Sequence, residues 1–162
     1  MPSESPQLIP GLQAYVDQMP FAKAFGFKVE EAKRGFVRVA LQPAEKFFNH
    51  FGTYQAGAIL TLAEITGGCL CGTFHDLTHN FLITKLTQVK FERATHDPLI
   101  AEASLEERVI QETLSNLQNQ RKTDVEVSVQ IKTLAGEQIA TSLGLYYLRL
   151  GFPSRFESKS RK

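Results

Sequence analysis

The chain has 162 residues, 43% of them hydrophobic and 22% charged, with a formal net charge of +1. That length suits one domain with a full hydrophobic core, and the balance excludes a disordered chain and leaves no basic surplus for nucleic-acid binding. No apolar run is long enough to span a bilayer and the opening MPSESPQLIP lacks the parts of a secretion signal, so the expectation is a cytoplasmic protein without membrane contact.

Residues 1–7 read as a disordered lead. Leu8 to Met19, with Leu12, Val16 and Met19 on one side, predicts a short helix that Pro20 stops. Residues 1–20 are therefore a lead and helix ahead of a single domain over 21–150. Phe21 to Phe27 is an aromatic joint. A hairpin follows: Phe27 to Ala32, a turn at Lys33-Arg34-Gly35, and Phe36 to Leu41, where Val37, Val39 and Leu41 alternate as one buried face.

The stretch from Phe47 to Gly72 starts as a polar loop around Asn49 and His50. From Tyr54 it reads as one long helix carrying a single charge, Glu64. An unpaired carboxylate in so apolar a segment costs several kcal/mol, on the order of a desolvated ion, so chemistry is the natural reason to keep it. At about 100° per residue its face also carries Gly57, Leu60, Thr61, Gly67, Gly68 and Cys71, while Ile59, Leu62, Ala63, Cys69 and Leu70 turn toward a core. Gly67-Gly68 has two readings, close packing of a strand or room for a ligand. Cys69 and Cys71 point about 200° apart on a helix, which excludes a disulfide between them. They suit a reduced compartment and a core-filling role.

His75 to Asn80 is polar and turn-like. Phe81 to Glu92 and Leu99 to Leu105 read as strands. Over Glu106 to Lys122 the period changes, with Val109, Ile110, Thr113, Leu114 and Leu117 at helical spacing. Val125 to Ile131 and Gln138 to Leu150 are strands joined by a turn at Ala135-Gly136-Glu137; in the second, Ile139, Thr141, Leu143, Leu145 and Tyr147 face one way. Residues 151–162 form a basic, mobile tail. Strands dominate and one helix is apolar all round, so the class is α+β, an antiparallel sheet wrapped about that helix.

This pattern resembles the hotdog fold of acyl-CoA thioesterases: a curved antiparallel sheet around one long helix, here about residues 54–72. It is similar in particular to the PaaI-like (phenylacetate-pathway) branch and to a neighbouring group of poorly characterised thioesterase-like domains. Asn49, the segment Gly52-Thr53-Tyr54-Gln55-Ala56-Gly57, Leu62-Ala63-Glu64 and the final hairpin carry the resemblance. The extra helix near 106–121 fits the poorly characterised group better. The family usually has an Asn or Gln in the loop, His-Gly-Gly at the helix start, and an acid nine positions after that His. Asn49, Gln55-Ala56-Gly57 and Glu64 fill these places. The resemblance implies a catalytic set of Glu64 as general base or nucleophile, Asn49, and the backbone amides of Ala56 and Gly57 polarising the thioester carbonyl. Gln55, His50, Tyr54, Thr61 and Gly68 would line the substrate site. It also implies a homodimer or dimer of dimers, with Asn49 and the acid from different subunits, and coenzyme A only as part of the substrate, without cofactor or metal. Gln55 in place of the family His keeps a hydrogen-bonding amide but loses proton transfer.

Other readings stay open. A non-catalytic acyl-CoA binder or sensor would suit the missing His and the basic tail. His50 and Glu64 share the interval of the acid-base pair in hotdog acyl dehydratases. His75 and His79 flank Asp76 at a spacing that imitates a metal pair, but without a third ligand nearby they read as surface residues. Lys85, Lys90 and Arg93 read as solvated strand charges, with coenzyme A phosphates as the sharper alternative.

Overall fold

A computed structural model describes residues 9–156. The alternating segments form β1 (Lys28–Lys33), β2 (Phe36–Leu41), β3 (Phe81–Phe91), β4 (Leu99–Ser104), β5 (Lys122–Thr133) and β6 (Gln138–Arg149). They make one sheet in the order β1-β2-β4-β5-β6-β3, every neighbouring pair antiparallel. The central helix α3 (Ala56–Gly72) packs against β2, β3, β4, β5 and β6, so the sheet curls around it. This is the hotdog fold. Two short helices, α1 (Leu12–Asp17) and α2 (Pro20–Phe25), precede the sheet, and α4 (Glu107–Gln120) lies between β4 and β5. Among the described residues, no helix is long and apolar enough to cross a membrane.

Burial explains why α3 sits inside. Leu62 and Leu70 are fully enclosed, as are Ala63 and Cys71, and each enclosed leucine contributes about 1.5–3 kcal/mol. The buried Thr66 hydroxyl donates to Leu62 O (2.7 Å), so no polar group is orphaned there. The inner faces of β2, β4 and β5 supply Val37, Val39, Leu41, Leu99, Ala101, Val127 and Ile131. Strand β4 pairs with β5 only over Val129–Thr133, and α4 lies beside the first half of β5, turning in Ile110, Thr113 and Leu117. Gly35 joins these layers. Its φ is 76°, its amide donates to Thr73 Oγ1 (3.0 Å), and a methyl group there would lie 2.9 Å from Leu105 O.

Several expectations change. The first helix is shorter than expected, ending at Asp17 ahead of Pro20, and Pro20 also begins a second one: it occupies the first position of α2, where a missing amide costs nothing. Helix α3 starts at Ala56, because Gln55 is its extended N-cap and Tyr54 is held in a β-bridge to Phe48. In β6 the inward residues are Ala140, Ser142, Gly144, Tyr146 and Leu148, so Thr141, Leu143, Leu145 and Tyr147 share the outer face. The reason is space: where the helix crosses most closely, at Gly67, only Gly144 and the Tyr146 ring fit beneath it. The start of the tail is folded, with a 3-10 turn at Ser154–Phe156 stacking Phe156 on Phe81 (5.4 Å between ring centroids). The expected disordered lead lies outside the described residues, as does the tail after Phe156.

Tyr146 crosses from β6 to the helix and donates from its hydroxyl to Glu64 O (2.9 Å). It runs through a slot between Gly67 and Gly144; a methyl group at Gly67 would collide with the Tyr146 hydroxyl, and one at Gly144 would lie 2.6 Å from the ring. Gly68 is different: only Leu82 Cδ2, at 3.9 Å, would meet a methyl group there. Close packing therefore accounts for Gly67, whereas Gly68 faces open space. Gly67→Ala is expected to lower unfolding free energy by about 1–3 kcal/mol through overpacking. Gly68→Ala should leave it unchanged or raise it by up to about 1 kcal/mol through helix propensity. Urea denaturation of both variants checks this; equal responses would contradict the slot.

Candidate active site

The loop before α3 is built by Asn49. Its Oδ1 accepts from the amides of Phe51 (2.9 Å) and Thr53 (3.3 Å), and its Nδ2 donates to Thr53 Oγ1 (3.1 Å) and Tyr54 O (3.4 Å). Asn49 N donates to Thr53 O (2.8 Å), and Gly52 takes a φ of 74° to close the turn. Such side-chain-to-backbone bonding is what asparagine does in turns. The chain leaves this loop pinned on both sides, with Tyr54 N donating to Thr95 O (2.9 Å) and Gln55 N to Phe47 O (2.8 Å). The start of α3 is thereby aimed.

Among the described residues, no side chain caps that start. The amides of Ala56 and Gly57 belong to the first turn, where a helix has no internal acceptors and its dipole favours negative charge. Ala56 and Gly57 are exposed, and a methyl group on Gly57 would meet no atom of the described residues within 4 Å. Beside them lies a cleft of about 360 Å³ lined by Asn49, Tyr54, Gln55, Ala56, Ile59 and Phe91. Tyr54 is almost wholly buried, its hydroxyl has no hydrogen-bond partner among the described residues, and burial pushes its pKa up to about 12. Gln55 is exposed.

Glu64 lies two turns further along the helix, on a stripe of Gly57, Leu60, Glu64 and Gly68 that stays outside the core. Its Oε1 accepts from the Thr84 hydroxyl at 2.6 Å, and among the described residues nothing is bonded to Oε2. A hydrogen bond to an ionised group contributes about 1.5–3 kcal/mol, enough to hold one rotamer. Thr84 sits at a bulge in β3, where the register with β6 shifts between Thr84 and Leu86. Thr84 opposes Tyr146 and, past the bulge, Thr87 opposes Gly144, so the inward face is kept on either side of the extra residue. Sequence reasoning missed Thr84. The available signal was a hydroxyl two residues from Leu82 on an inward face, and the bulge broke the alternation that marks that face.

The expected site residues thus fall into two groups. Asn49, Tyr54, Gln55 and Ala56 share the cleft at the helix start, with Gly57 beside them. Glu64 and Gly68 lie with Thr84 on the open side between α3 and β3. Ala56 and Glu64 are eight residues apart, about 12 Å along the axis, so in a single chain one acyl carbon does not reach both groups at hydrogen-bonding distance. Thr61 is buried and donates to Gly57 O (2.8 Å), and Gly67 and Cys71 belong to the core rather than the trough. His50 is exposed in the loop, its ring 3.9 Å from that of Phe51 between centroids.

The remaining candidates are also placed. Both cysteines are buried, and burial pushes Cys69 up to about 12 and raises Cys71 as well, which leaves them as core thiols. Lys85 pairs with Asp124 (2.6 Å) and Arg93 with Glu137 (2.7 Å), so neither cation is free; Lys90 makes no ion pair among the described residues. Asp76 accepts from the backbone and hydroxyl of Thr78 and bonds His79 Nδ1 (2.7 Å); these contacts hold its carboxyl down at about 2. Among the described residues, no three His, Cys, Asp or Glu side chains lie close enough to share a metal ion.

A family model described as a domain of unknown function, DUF4442, matches residues 12–143. The chain belongs to that family. No curated protein matches this DUF4442 chain. Among solved structures, it is similar to a Pseudomonas aeruginosa protein of unknown function, described as a probable thioesterase, at 28% identity and a TM-score of 0.77, over 90% of this chain and 99% of that one. The Escherichia coli PaaI protein of the phenylacetic acid degradation operon aligns at 18% identity and TM-score 0.64, over 84% and 92%. A hypothetical thioesterase from Streptococcus pneumoniae, solved with coenzyme A, aligns at 15% identity and TM-score 0.62, over 81% and 92%. These neighbours share the hotdog fold with this chain.

His75 is a further correction. It is 3% exposed, with Nε2 3.3 Å from Phe81 O, and burial lowers its pKa below 6.5. A neutral buried imidazole binds fewer protons folded than unfolded, so its contribution is present above about 6.5 and is lost as pH falls through the depressed folded value. His75→Gln, which keeps an amide donor for Phe81 O, is therefore expected to flatten the decline of stability below that pH. Denaturation at a series of pH values tests this; parallel curves for wild type and variant would contradict it.

Proposed function

We propose that this protein is a thioesterase that hydrolyses an acyl-CoA thioester, with Glu64 as the catalytic carboxylate. The observation that carries the reading is the state of Glu64: oriented by Thr84 through one oxygen, unbonded at the other, and placed on the open stripe of an otherwise enclosed helix. As general base, Oε2 takes a proton from water, the oxygen attacks the thioester carbon, and the tetrahedral intermediate expels the thiolate, which is then protonated. As nucleophile, Oε2 attacks directly, releases the thiol and leaves a mixed anhydride that water opens. In either route the amides of Ala56 and Gly57 hold the developing oxyanion, a role in which one donor contributes about 2.7–4 kcal/mol. The neighbours described as thioesterases support the reaction class, and the neighbour solved with coenzyme A supports the substrate class.

The same reading makes the working unit a homodimer. The two groups of site residues are too far apart on one helix, so a helix start from one copy would face Glu64 of another. Strand β3 supports this arrangement. Its outer edge has no strand partner among the described residues, and its Ile83, Leu86 and Phe91 are 49%, 46% and 47% exposed. A long apolar edge of this kind invites pairing. At the opposite edge, β1 is short, charged and bulged between Val29 and Glu31, which discourages it.

Thiol release from a panel of acyl-CoAs tests the proposal. Glu64→Ala is expected to lose roughly 10²–10⁴-fold in rate, and Thr84→Val roughly ten- to a hundredfold from one charge-assisted hydrogen bond. Equal rates for wild type and Glu64→Ala would remove the carboxylate from the reaction. Tight acyl-CoA binding by wild type without turnover would instead favour a binder, the reading suggested by Gln55.

A further inference from the structure

At the end of the sheet where β3 and β5 begin and β6 finishes, the surface carries three cations with no counter-charge among the described residues. Lys122 and Arg149 are direct cross-strand partners in the β5–β6 ladder, a like-charge pairing that works against the sheet. Arg121, next to them, has a φ of 63° and is the one non-glycine residue with positive φ among the described residues. It closes α4 as a left-handed cap through its amide to Leu117 O (2.8 Å), a position glycine fills more cheaply. Arg121 Nη2 reaches Leu150 O only at 3.5 Å, and Arg149 Nε is buried without a hydrogen-bond partner among the described residues. Among the described residues, no carboxylate lies within 4.0 Å of the three, whereas Arg34, Arg38, Lys85 and Arg93 each have at least one. The three cations and Gln120 line a recess of about 240 Å³.

Unfavourable backbone, unfavourable charge pairing and an unused buried donor coincide at one spot, and a bound anion relieves the last two. Two guanidinium groups and an ammonium around a small recess match the oxygen fork of a phosphate. We propose that the recess of Gln120, Arg121, Lys122 and Arg149 is a phosphate-binding site that takes a phosphomonoester or diphosphate group. The group comes either from a free phosphate compound or from the nucleotide end of an acyl-CoA; only the second source rests on the thioesterase reading. Arg149 is three residues beyond Tyr146 on β6, about 10 Å along the strand and on the opposite face of the sheet, so a ligand spanning both sites would pass around the sheet end.

Calorimetric titration of the full chain with pyrophosphate and with adenosine 3′,5′-bisphosphate tests the site. Saturable binding is expected, weakened at least about tenfold in Lys122→Gln/Arg149→Gln and unchanged in Lys85→Gln/Arg93→Gln, whose cations already have partners. Arg121→Gly is expected to weaken binding while raising thermal stability, which a merely structural cap would not do. Absence of saturable binding to wild type, or equal affinity in the Lys122→Gln/Arg149→Gln variant, overturns the proposal. If that variant also raises KM for acyl-CoA with kcat and acyl-pantetheine turnover unchanged, the phosphate is the nucleotide end. If KM does not move while pyrophosphate binding is lost, the site holds a free phosphate compound. The binding arm needs no turnover, so it stands or falls apart from the thioesterase reading.

Discussion

Tyr146 holds the central helix to the sheet, and the placement of the candidate site follows from that contact. Its ring fills a slot that only Gly67 and Gly144 leave open, and its hydroxyl ends on the backbone oxygen of Glu64. A helix with larger residues at that crossing would stand further from β6, and Thr84, which opposes Tyr146 on the next strand, would no longer reach the Glu64 carboxylate. One close approach therefore sets the depth of the helix and the orientation of its acid. Enclosure of the surrounding leucines and valines supplies the driving force, and the glycines supply the geometry.

The helix is enclosed nearly all round, yet the stripe from Gly57 to Gly68 stays open, and the edge beside it is the long side of β3 that no described strand pairs with. An ionised side chain is tolerable at such a border because it keeps part of its solvation and gains a hydroxyl donor. The helix start is also left open, with bare amides above the loop that Asn49 braces. On the proposed reading, each chain offers both halves of a site at separate places along one rod. A twofold arrangement would use both halves twice, since a self-complementary patch brings residue i to j and j to i together.

Much of this was legible from residue pattern alone. Period-two alternation in β2, β4 and β5 marks strands buried on one face, and the lone acid in an apolar helix marks Glu64 before any coordinates. What was not legible depends on distance in space rather than spacing in sequence. Both faces of β6 carry apolar residues, so alternation there does not say which face is inside; the bulk of Tyr146 and its two glycines decides. Pro20 stops a helix or begins one according to whether its missing amide is needed. His75 looks like a turn residue because its neighbours are polar, but the close of α3 folds it inward. Thr84 becomes significant only because a bulge brings it beneath an acid twenty residues earlier.

Subunit complementation tests the central claim most directly. Asn49→Ala and Glu64→Ala variants, each inactive alone and each shown to fold, are mixed under conditions where subunit exchange is verified. If the helix start of one copy serves the acid of the other, half of the re-formed dimers are hybrids with one intact site, and acyl-CoA hydrolysis returns to about a quarter of the wild-type rate. A mixture that exchanges subunits fully and stays as inactive as its components would contradict a site shared between copies.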